Sequence, residues 1–138
     1  MLKVLYLLNY AGKAGTERYV ETLVKYLNGE KIQAYFAYNE GGLLVERMQE
    51  AGVPVRQLTM RRRFDLKAAR ALAGLCAEWD IDVVHCHYLR EHYTALLAKR
   101  FNKKIRVVYT IHFVMANDAV TRLSNRWMDR RQDQMIAV

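Results

Sequence analysis

The chain has 138 residues, of which 52% are hydrophobic and 26% charged, and this length and composition suit one globular domain. No uninterrupted apolar run approaches the roughly 18 residues that a membrane-spanning helix needs. The 22 Lys and Arg residues outnumber the 14 Asp and Glu residues, and the formal charge of +8 favours anionic partners such as phosphates, nucleic acid or acidic lipid surfaces. The two cysteines lack CxxC spacing, which argues against a disulfide framework and favours a reducing cytosol.

Apolar stretches alternate with helical patterns along the chain. The first strand is predicted over residues 4–8, and a loop with two glycines joins it to an amphipathic helix whose apolar residues recur up to Leu27. Thr16 is the expected N-cap of this helix, and Asn28-Gly29 is its expected end. The later strands are predicted at residues 32–38, 53–58, 81–86, 105–111 and 135–138, and the later helices at residues 43–51, 66–79, 91–101 and 118–131.

Two local patterns refine the middle of the chain. Pro54 fits the third strand only near its start or on a sheet edge, because proline cannot donate to the ladder. Asp65 is the expected N-cap of the helix at residues 66–79. The buried face of that helix is predicted from apolar residues at one-turn spacing, namely Leu66, Ala69, Leu72, Ala73, Cys76 and Trp79.

The alternation of strands with helices favours one fold class, a doubly wound α/β sandwich. Strands separated by helices argue for a parallel sheet that right-handed crossovers cover on both faces. The nearly continuous apolar strands agree, because strands in such sheets are buried on both sides. We therefore expect the strand order 3-2-1-4-5-6, with ligands bound at the carboxyl ends where the order reverses. The chain stops within an apolar strand, so we expect residues 1–138 to be part of a longer protein.

Polar residues gather where the strands of this predicted sheet end. The expected order places the loop after the first strand beside the loop after the fourth. Glycines in the first loop let a ligand approach the backbone, and the helix that follows directs N–H groups and its positive dipole end toward an anion. Polar groups are costly deep in an apolar sheet, so their convergence predicts a binding site at this rim. They are Asn9, Gly12, Gly15 and Thr16 after the first strand, His85, His87, Tyr88 and Arg90 after the fourth, and Thr110 and His112 at the fifth.

The histidines have more than one interpretation. His85 and His87 are two residues apart, so their side chains face the same side of the strand. Together with Cys86 or His112 they could bind a metal, but no Asp or Glu lies at a convincing spacing. We therefore expect no metal site. His112, at the end of an apolar strand, is the better functional candidate, and a hydrogen-bonded structural histidine is the alternative.

Other catalytic and nucleotide-binding patterns are missing from the sequence. The only serine, Ser124, falls in a predicted helix rather than at a nucleophile elbow, which argues against Ser-His-Asp chemistry. The glycine loop matches neither GxGxxG nor the P-loop pattern, and no acidic residue ends the predicted second strand to bind a ribose. A nucleotide-dependent dehydrogenase is therefore disfavoured.

Basic residues form three clusters. Arg61, Arg62 and Arg63 follow the third strand and so belong to the same rim as the polar residues. Such clusters are usually solvated faces, but two of the three can lie near the rim, which suggests an anionic ligand or an anionic membrane surface. Nucleic acid is disfavoured, because no recognition motif is present and the aromatic residues follow core patterns. The other clusters are Arg122, Arg126 and Arg130 on the last predicted helix, and Lys99, Arg100, Lys103 and Lys104 at the opposite edge.

Several motifs resemble those of the family 4 glycosyltransferases, which have the GT-B fold. Gly15–Arg18 resembles the Gly-Gly-x-Glu-Arg opening of their first helix, although Thr16 stands where many members have a second glycine. Asp82–His87 resembles their Asp-Val-Val-His-x-His fourth strand, and Val107–His112 resembles their Val-Val-x-Thr-x-His fifth strand. Gly52–Val55 also fits. The resemblance spans essentially all 138 residues, with the motifs in the family's order and spacing.

The resemblance implies a two-domain, metal-independent, retaining enzyme that moves a sugar from a nucleotide-sugar to a sugar, lipid-linked or other acceptor. Residues 1–138 would be its Rossmann-like N-terminal domain, on the acceptor side. The C-terminal domain, with the Glu-x7-Glu motif and most nucleotide contacts, would be absent, which would leave this fragment inactive. The enzyme would be cytoplasmic or peripheral at the inner face of the membrane.

Residue roles carried over from the family remain expectations. The alternative from another class is a self-contained flavodoxin-like or regulatory module without catalysis, although the phospho-acceptor aspartate expected at the end of a first strand is missing. In the glycosyltransferase interpretation, the donor diphosphate is approached by Gly12, Gly15 and Thr16. The transferred sugar or the nearby phosphate is contacted by His112. The residues that would form or support the acceptor side are Asn9, His87, Arg90, Arg61, Arg62 and Arg63.

Overall fold

The computed structural model describes residues 2–10, 15–29, 31–61, 64–87, 89–111 and 134–137, and in these residues strands alternate with helices. The strands are β1 (Leu2–Tyr10), β2 (Ile32–Glu40), β3 (Val55–Gln57), β4 (Val83–Cys86), β5 (Arg106–Ile111) and β6 (Gln134–Ala137). The helices are α1 (Gly15–Leu27), α2 (Leu43–Glu50), α3 (Leu66–Trp79) and α4 (Leu89–Ala98).

The six strands form one parallel sheet in the order β3-β2-β1-β4-β5-β6. This confirms both the predicted fold class and the predicted strand order. β1 is central, since Leu5 lies opposite Tyr35 on one side and Val84 on the other. The order reverses between β1 and β4, so the predicted crevice lies at the carboxyl ends of these two strands.

Alternate residues of β1 enter two separate hydrophobic cores, which explains its unbroken apolar sequence. Leu5 and Leu7 pack with residues of α3 and α4 on one face of the sheet. Tyr6 and Leu8 pack with residues of α1 and α2 on the other face. Both sides of a central parallel strand are covered by helices, and side chains that alternate between faces must therefore all be apolar.

Helix ends follow the capping chemistry in the sequence, with one exception. Asp65 caps α3 as predicted, because its side chain accepts a hydrogen bond from the Ala68 N–H at 3.1 Å. Gly29, with φ of +85°, follows the end of α1 and adopts the left-handed conformation that glycine permits. The prediction of Thr16 as N-cap is wrong, because α1 already begins at Gly15 and Thr16 lies in its first turn.

Three further details differ from the sequence-based expectation. Leu66 is 55% exposed rather than buried, because it begins α3 at the rim, beyond the end of the short strand β3. β2 extends to Glu40, since its pairing with β1 continues through Tyr10, so an acidic residue does end the second strand. The case against a dinucleotide site therefore depends on the glycine pattern alone. The predicted helix at residues 118–131 lies outside the described residues.

No helix within the described part of the chain is both long enough and apolar enough to cross a membrane.

Candidate functional site

The carboxyl ends of β1 and β4 meet at the point where the strand order reverses. Asn9 is the penultimate residue of β1, and His87 directly follows β4. β4 ends at Cys86, which lies opposite Leu7, so β1 extends beyond its neighbour on this side. The structure thus brings together two of the predicted site residues at the crevice.

Glu91 joins these two strand ends, although no sequence pattern predicts it as a site residue. Its side chain is fully buried, and its carboxylate accepts hydrogen bonds from the backbone N–H of Asn9 and from that of His87, the latter at 2.9 Å. Glu91 lies in the first turn of α4, where the helix dipole also favours a negative charge. We call Asn9, His87 and Glu91 the switch-point rim. The sequence shows only an acidic residue at the start of the predicted fourth helix, and that feature does not identify the groups that the residue bonds.

A second polar group continues the rim toward β3, and we call it the Asn39 bridge. Asn39 lies near the end of β2, and its side-chain amide donates to the Asn9 Oδ1 at 2.9 Å and to the Met60 carbonyl at 3.1 Å. The Met60 N–H donates back to the Asn39 Oδ1 at 2.9 Å. The bridge therefore fixes the loop after β3 against the end of β1, and it too was missed by the sequence analysis.

The loop after β3 carries the first arginine of the basic cluster. The backbone N–H of Arg61 donates to Asp65 Oδ2 at 3.1 Å, so the N-cap of α3 also shapes this turn. A cavity of about 320 Å³ opens here, and its lining includes Thr59, Arg61 and Lys67. Asp65 also lines the cavity, but its carboxylate is already bonded to two backbone N–H groups. The two cationic side chains therefore favour an anionic group in the cavity.

His85 in β4 and His87, which directly follows β4, lie on the same face of the sheet, as predicted. The rings of His85 and His87 have centroids 4.4 Å apart, and both side chains are buried. His85 contacts Tyr6 and His87 contacts Tyr19, so the pair belongs to the face covered by α1. Burial, with a smaller contribution from Tyr19, raises the pKa of Tyr6 to about 12. Within the described residues no three His, Cys, Asp or Glu side chains form a metal site.

A third histidine lies on the opposite face. The ring of His92 is fully buried on α4 and stacks on Tyr109 of β5 with centroids 4.2 Å apart. Neither of its ring nitrogens has a hydrogen-bond partner among the described residues. Burial lowers the pKa of His92 to about 4, so this histidine is neutral at pH 7.

The cysteines are not candidates for nucleophilic chemistry. Cys76 and Cys86 are free and buried, which agrees with the expectation of no disulfide. Burial raises the pKa of the Cys76 thiol to about 12 and that of the Cys86 thiol well above its usual value. Thiolates are the reactive form, so both thiols are chemically inert at neutral pH.

The remaining predicted site residues are only partly located. Gly15 and Thr16 form the first turn of α1, and Arg90 lies in the first turn of α4, so all three backbones border the crevice. Five other predicted residues lie outside the described residues, namely Gly12, Arg62, Arg63, Tyr88 and His112.

A doubly wound sheet whose helix N-termini and polar residues meet at the switch point defines a Rossmann-like protein with its crevice at the carboxyl edge. The sequence profile of Glycosyltransferase Family 4 matches residues 14–138, and the chain belongs to that family. No curated protein matches the sequence significantly.

Solved structures give the same fold. A glycosyltransferase from Rickettsia africae matches with a TM-score of 0.80 and 17% identity over 99% of this chain and 37% of its own. Anabaena HepE in complex with UDP and glucose matches with a TM-score of 0.78 and 15% identity over 98% of this chain and 37% of its own. MurG of Acinetobacter baumannii matches with a TM-score of 0.74 and 15% identity over 100% of this chain and 41% of its own. The chain therefore has the fold of the N-terminal half of a GT-B glycosyltransferase and spans about two fifths of these proteins.

Proposed function

We propose that the full-length protein transfers a sugar from a nucleotide-sugar to an acceptor, with retention of configuration and without a metal ion or other cofactor. The observation that carries the proposal is the switch-point rim, where two loops beside the crevice meet through Glu91. Family membership and the UDP and UDP-glucose complexes of HepE support a nucleotide-sugar donor. The rest of the full-length protein would contribute the second domain and most nucleotide contacts, and the fragment alone would be inactive.

The donor diphosphate would lie against the N-terminus of α1. This helix has 13 residues, and its first turn contains Gly15 and Thr16. Backbone N–H groups at a helix N-terminus have no intrahelical partner and, with the helix dipole, attract phosphate oxygens. Gly12 and Gly15 would allow the diphosphate to approach the backbone, because neither has a Cβ atom.

The reacting centre would be flanked by His112. A histidine that donates a hydrogen bond there would stabilise the negative charge that develops as the sugar leaves the diphosphate. His87 would support this arrangement from the switch-point rim, where its backbone is already bonded to Glu91.

The acceptor would approach from the loop after β3. Arg61 borders the cavity there, and Arg62 and Arg63 continue the basic cluster in sequence. Arg90, in the first turn of α4, would be a further acceptor-side residue, and Asn9 is bonded to Asn39, which holds the loop after β3. Such a cationic surface favours an acceptor with an anionic group, or association with an anionic membrane surface.

Replacing His112 with Ala in the full-length enzyme should lower kcat about 100-fold or more, because the donor to the developing charge is lost. The thermal unfolding midpoint should change little. The measurement is mass spectrometry of products from a panel of nucleotide-sugars and acceptors. Lys103→Ala, at the opposite edge of the sheet, is the control and should retain full activity. Unchanged turnover in His112→Ala would contradict the role of His112 at the reacting centre.

The same panel tests the proposed function as a whole. Transfer from at least one nucleotide-sugar supports it, and the anomeric configuration of the product tests retention. A full-length protein that binds a flavin or a phosphate mimic and transfers no sugar would instead indicate a non-catalytic binding module. Activity that disappears with a metal chelator would contradict the proposed metal independence.

A further inference from the structure

We propose that Glu91 is a positioning residue that sets the geometry of the donor side of the crevice, an inference that rests on the proposed function. It would not touch the substrate. Its carboxylate would instead fix the two chain segments that flank the donor diphosphate, one leaving β1 toward α1 and the other leaving β4 toward α4.

Glu91 forms one hydrogen bond to each of these two segments. The N–H of Asn9 points to the side of β1 where β4 has already ended, because the last paired residues are Leu7 and Cys86. Because β4 no longer supplies an acceptor at this position, the Glu91 carboxylate accepts this N–H through Oε1. Its other oxygen, Oε2, accepts the N–H of His87 at 2.9 Å. One side chain therefore ties together two backbone positions 78 residues apart (His87 and Asn9).

The two hydrogen bonds that Glu91 accepts require a carboxylate. Both oxygens of an ionised carboxylate accept hydrogen bonds, whereas a glutamine amide has one acceptor and one donor group. In Glu91→Gln, one of the two N–H groups would face an NH₂ group and lose its bond. Glu91 is fully buried, so solvent cannot easily restore that bond.

The location of Glu91 makes its effect specific to the donor. Asn9 is followed, across residues 10–14, by the N-terminus of α1, which is the proposed diphosphate site. The loop after β3 on the acceptor side is held chiefly by Asn39, through two bonds to Met60, and a single bond from Asn39 to the Asn9 side chain links it to the end of β1. A displacement of the β1 and β4 ends should therefore alter donor binding and leave acceptor binding largely intact.

A natural control lies at the other end of the same pair of strands. The Asp82 carboxylate accepts the backbone N–H of Lys3 at 2.9 Å, at the amino edge of the sheet. Lys3 and Asn9 are six residues apart on β1, which is roughly 20 Å. Asp82→Asn thus removes the charge of a carboxylate that is bonded to β1 far from the crevice, and it reports the effect of a carboxylate-to-amide change outside the site.

The test compares Glu91→Gln with Asp82→Asn in the full-length enzyme. Glu91→Gln should raise the KM for the nucleotide-sugar about tenfold or more, because a donor site that is no longer held in its bound geometry binds the donor more weakly. The KM for the acceptor should stay within about twofold. Asp82→Asn should change neither KM, whatever its effect on the unfolding midpoint. Equal donor KM values in wild type and a folded Glu91→Gln would overturn the inference.

Folding failure is covered by a second variant. Glu91→Asp keeps the charge but is one methylene shorter, and it should show the same selective rise in donor KM. If neither variant folds, Glu91 has a structural role and the inference is overturned. A wild-type enzyme that uses no nucleotide-sugar contradicts the proposed function itself and this inference with it. Wild-type activity together with an unchanged donor KM in the variants contradicts the inference alone.

Discussion

His92 is a buried residue whose environment moves its pKa far from the solution value. Its ring is enclosed between α4 and Tyr109, and its nitrogens have no hydrogen-bond partner among the described residues. A charged imidazolium there would lose its hydration without compensation, which is why burial lowers its pKa from 6.5 to about 4. The folded protein therefore keeps His92 neutral at pH values where the unfolded chain protonates it.

This difference predicts a loss of stability in mild acid. Above pH 6.5 both states have a neutral His92, and its stabilising effect is fully present. As the pH falls from 6.5 toward 4, only the unfolded state binds the proton, so stability falls, and between pH 7 and pH 5 the loss should be about 2 kcal/mol. Urea unfolding at the two pH values measures it. His92→Phe, which preserves the stacked ring, should lose correspondingly less, and equal losses in both proteins would contradict the assignment to His92.

At the scale of single elements, the ends of helices connect local capping to the site. Asp65 begins α3 and uses both carboxylate oxygens, one on the Ala68 N–H within the helix and one on the Arg61 N–H in the preceding loop. The same residue thus stabilises the helix and shapes the turn that leads from β3. A capping pattern in the sequence predicts the first bond, whereas the second depends on how the loop folds back.

Asp65→Ala should destabilise the protein by about 1–2 kcal/mol, because it removes an N-cap and a second backbone partner. Urea unfolding of the variant and the wild type gives this difference. Asp80→Asn at the other end of α3 is the matched control. It removes an exposed ion pair with Lys104, and its effect should be small because such pairs contribute little. A loss in Asp65→Ala no larger than in Asp80→Asn would show that the cap is dispensable.

At the scale of the whole molecule, stability depends on two cores separated by the sheet. The larger core combines residues of α3 and α4 with one face of the strands, and Leu72 is completely buried within it. Leu66 lies on the same helix but is more than half exposed at the rim. A comparison of the two leucines therefore separates the effect of burial in the core from the effect of lying on this helix.

Leu72→Ala should reduce the free energy of unfolding by about 2–5 kcal/mol, since it removes buried methyl groups and leaves a cavity. Leu66→Ala should cost far less, because most of its side chain stays in water when the protein folds. Chemical denaturation of both variants under one condition provides the comparison. Similar losses at the two positions would mean that Leu66 packs more closely than its exposure indicates.

The sequence by itself predicted the elements that the structure describes, their parallel arrangement and the strand ends where the order reverses. These features are encoded in local periodicity, because residues buried on both faces of a strand must be apolar wherever that strand lies. Leu66 was misplaced because periodicity does not show where a helix extends past the sheet that covers it.

Only the tertiary structure decided how the crevice is built. Glu91 bonds the Asn9 N–H across 82 residues of sequence, and Asn39 bonds the Asn9 side chain across 30. A single glutamate in a first helical turn, or a single asparagine at a strand end, carries no sequence signal for such a partner. These bonds form because β4 stops short of β1 and because the strand ends meet at one edge of the sheet. Hydrophobic periodicity predicts burial, but directed hydrogen bonds depend on the final register of the strands.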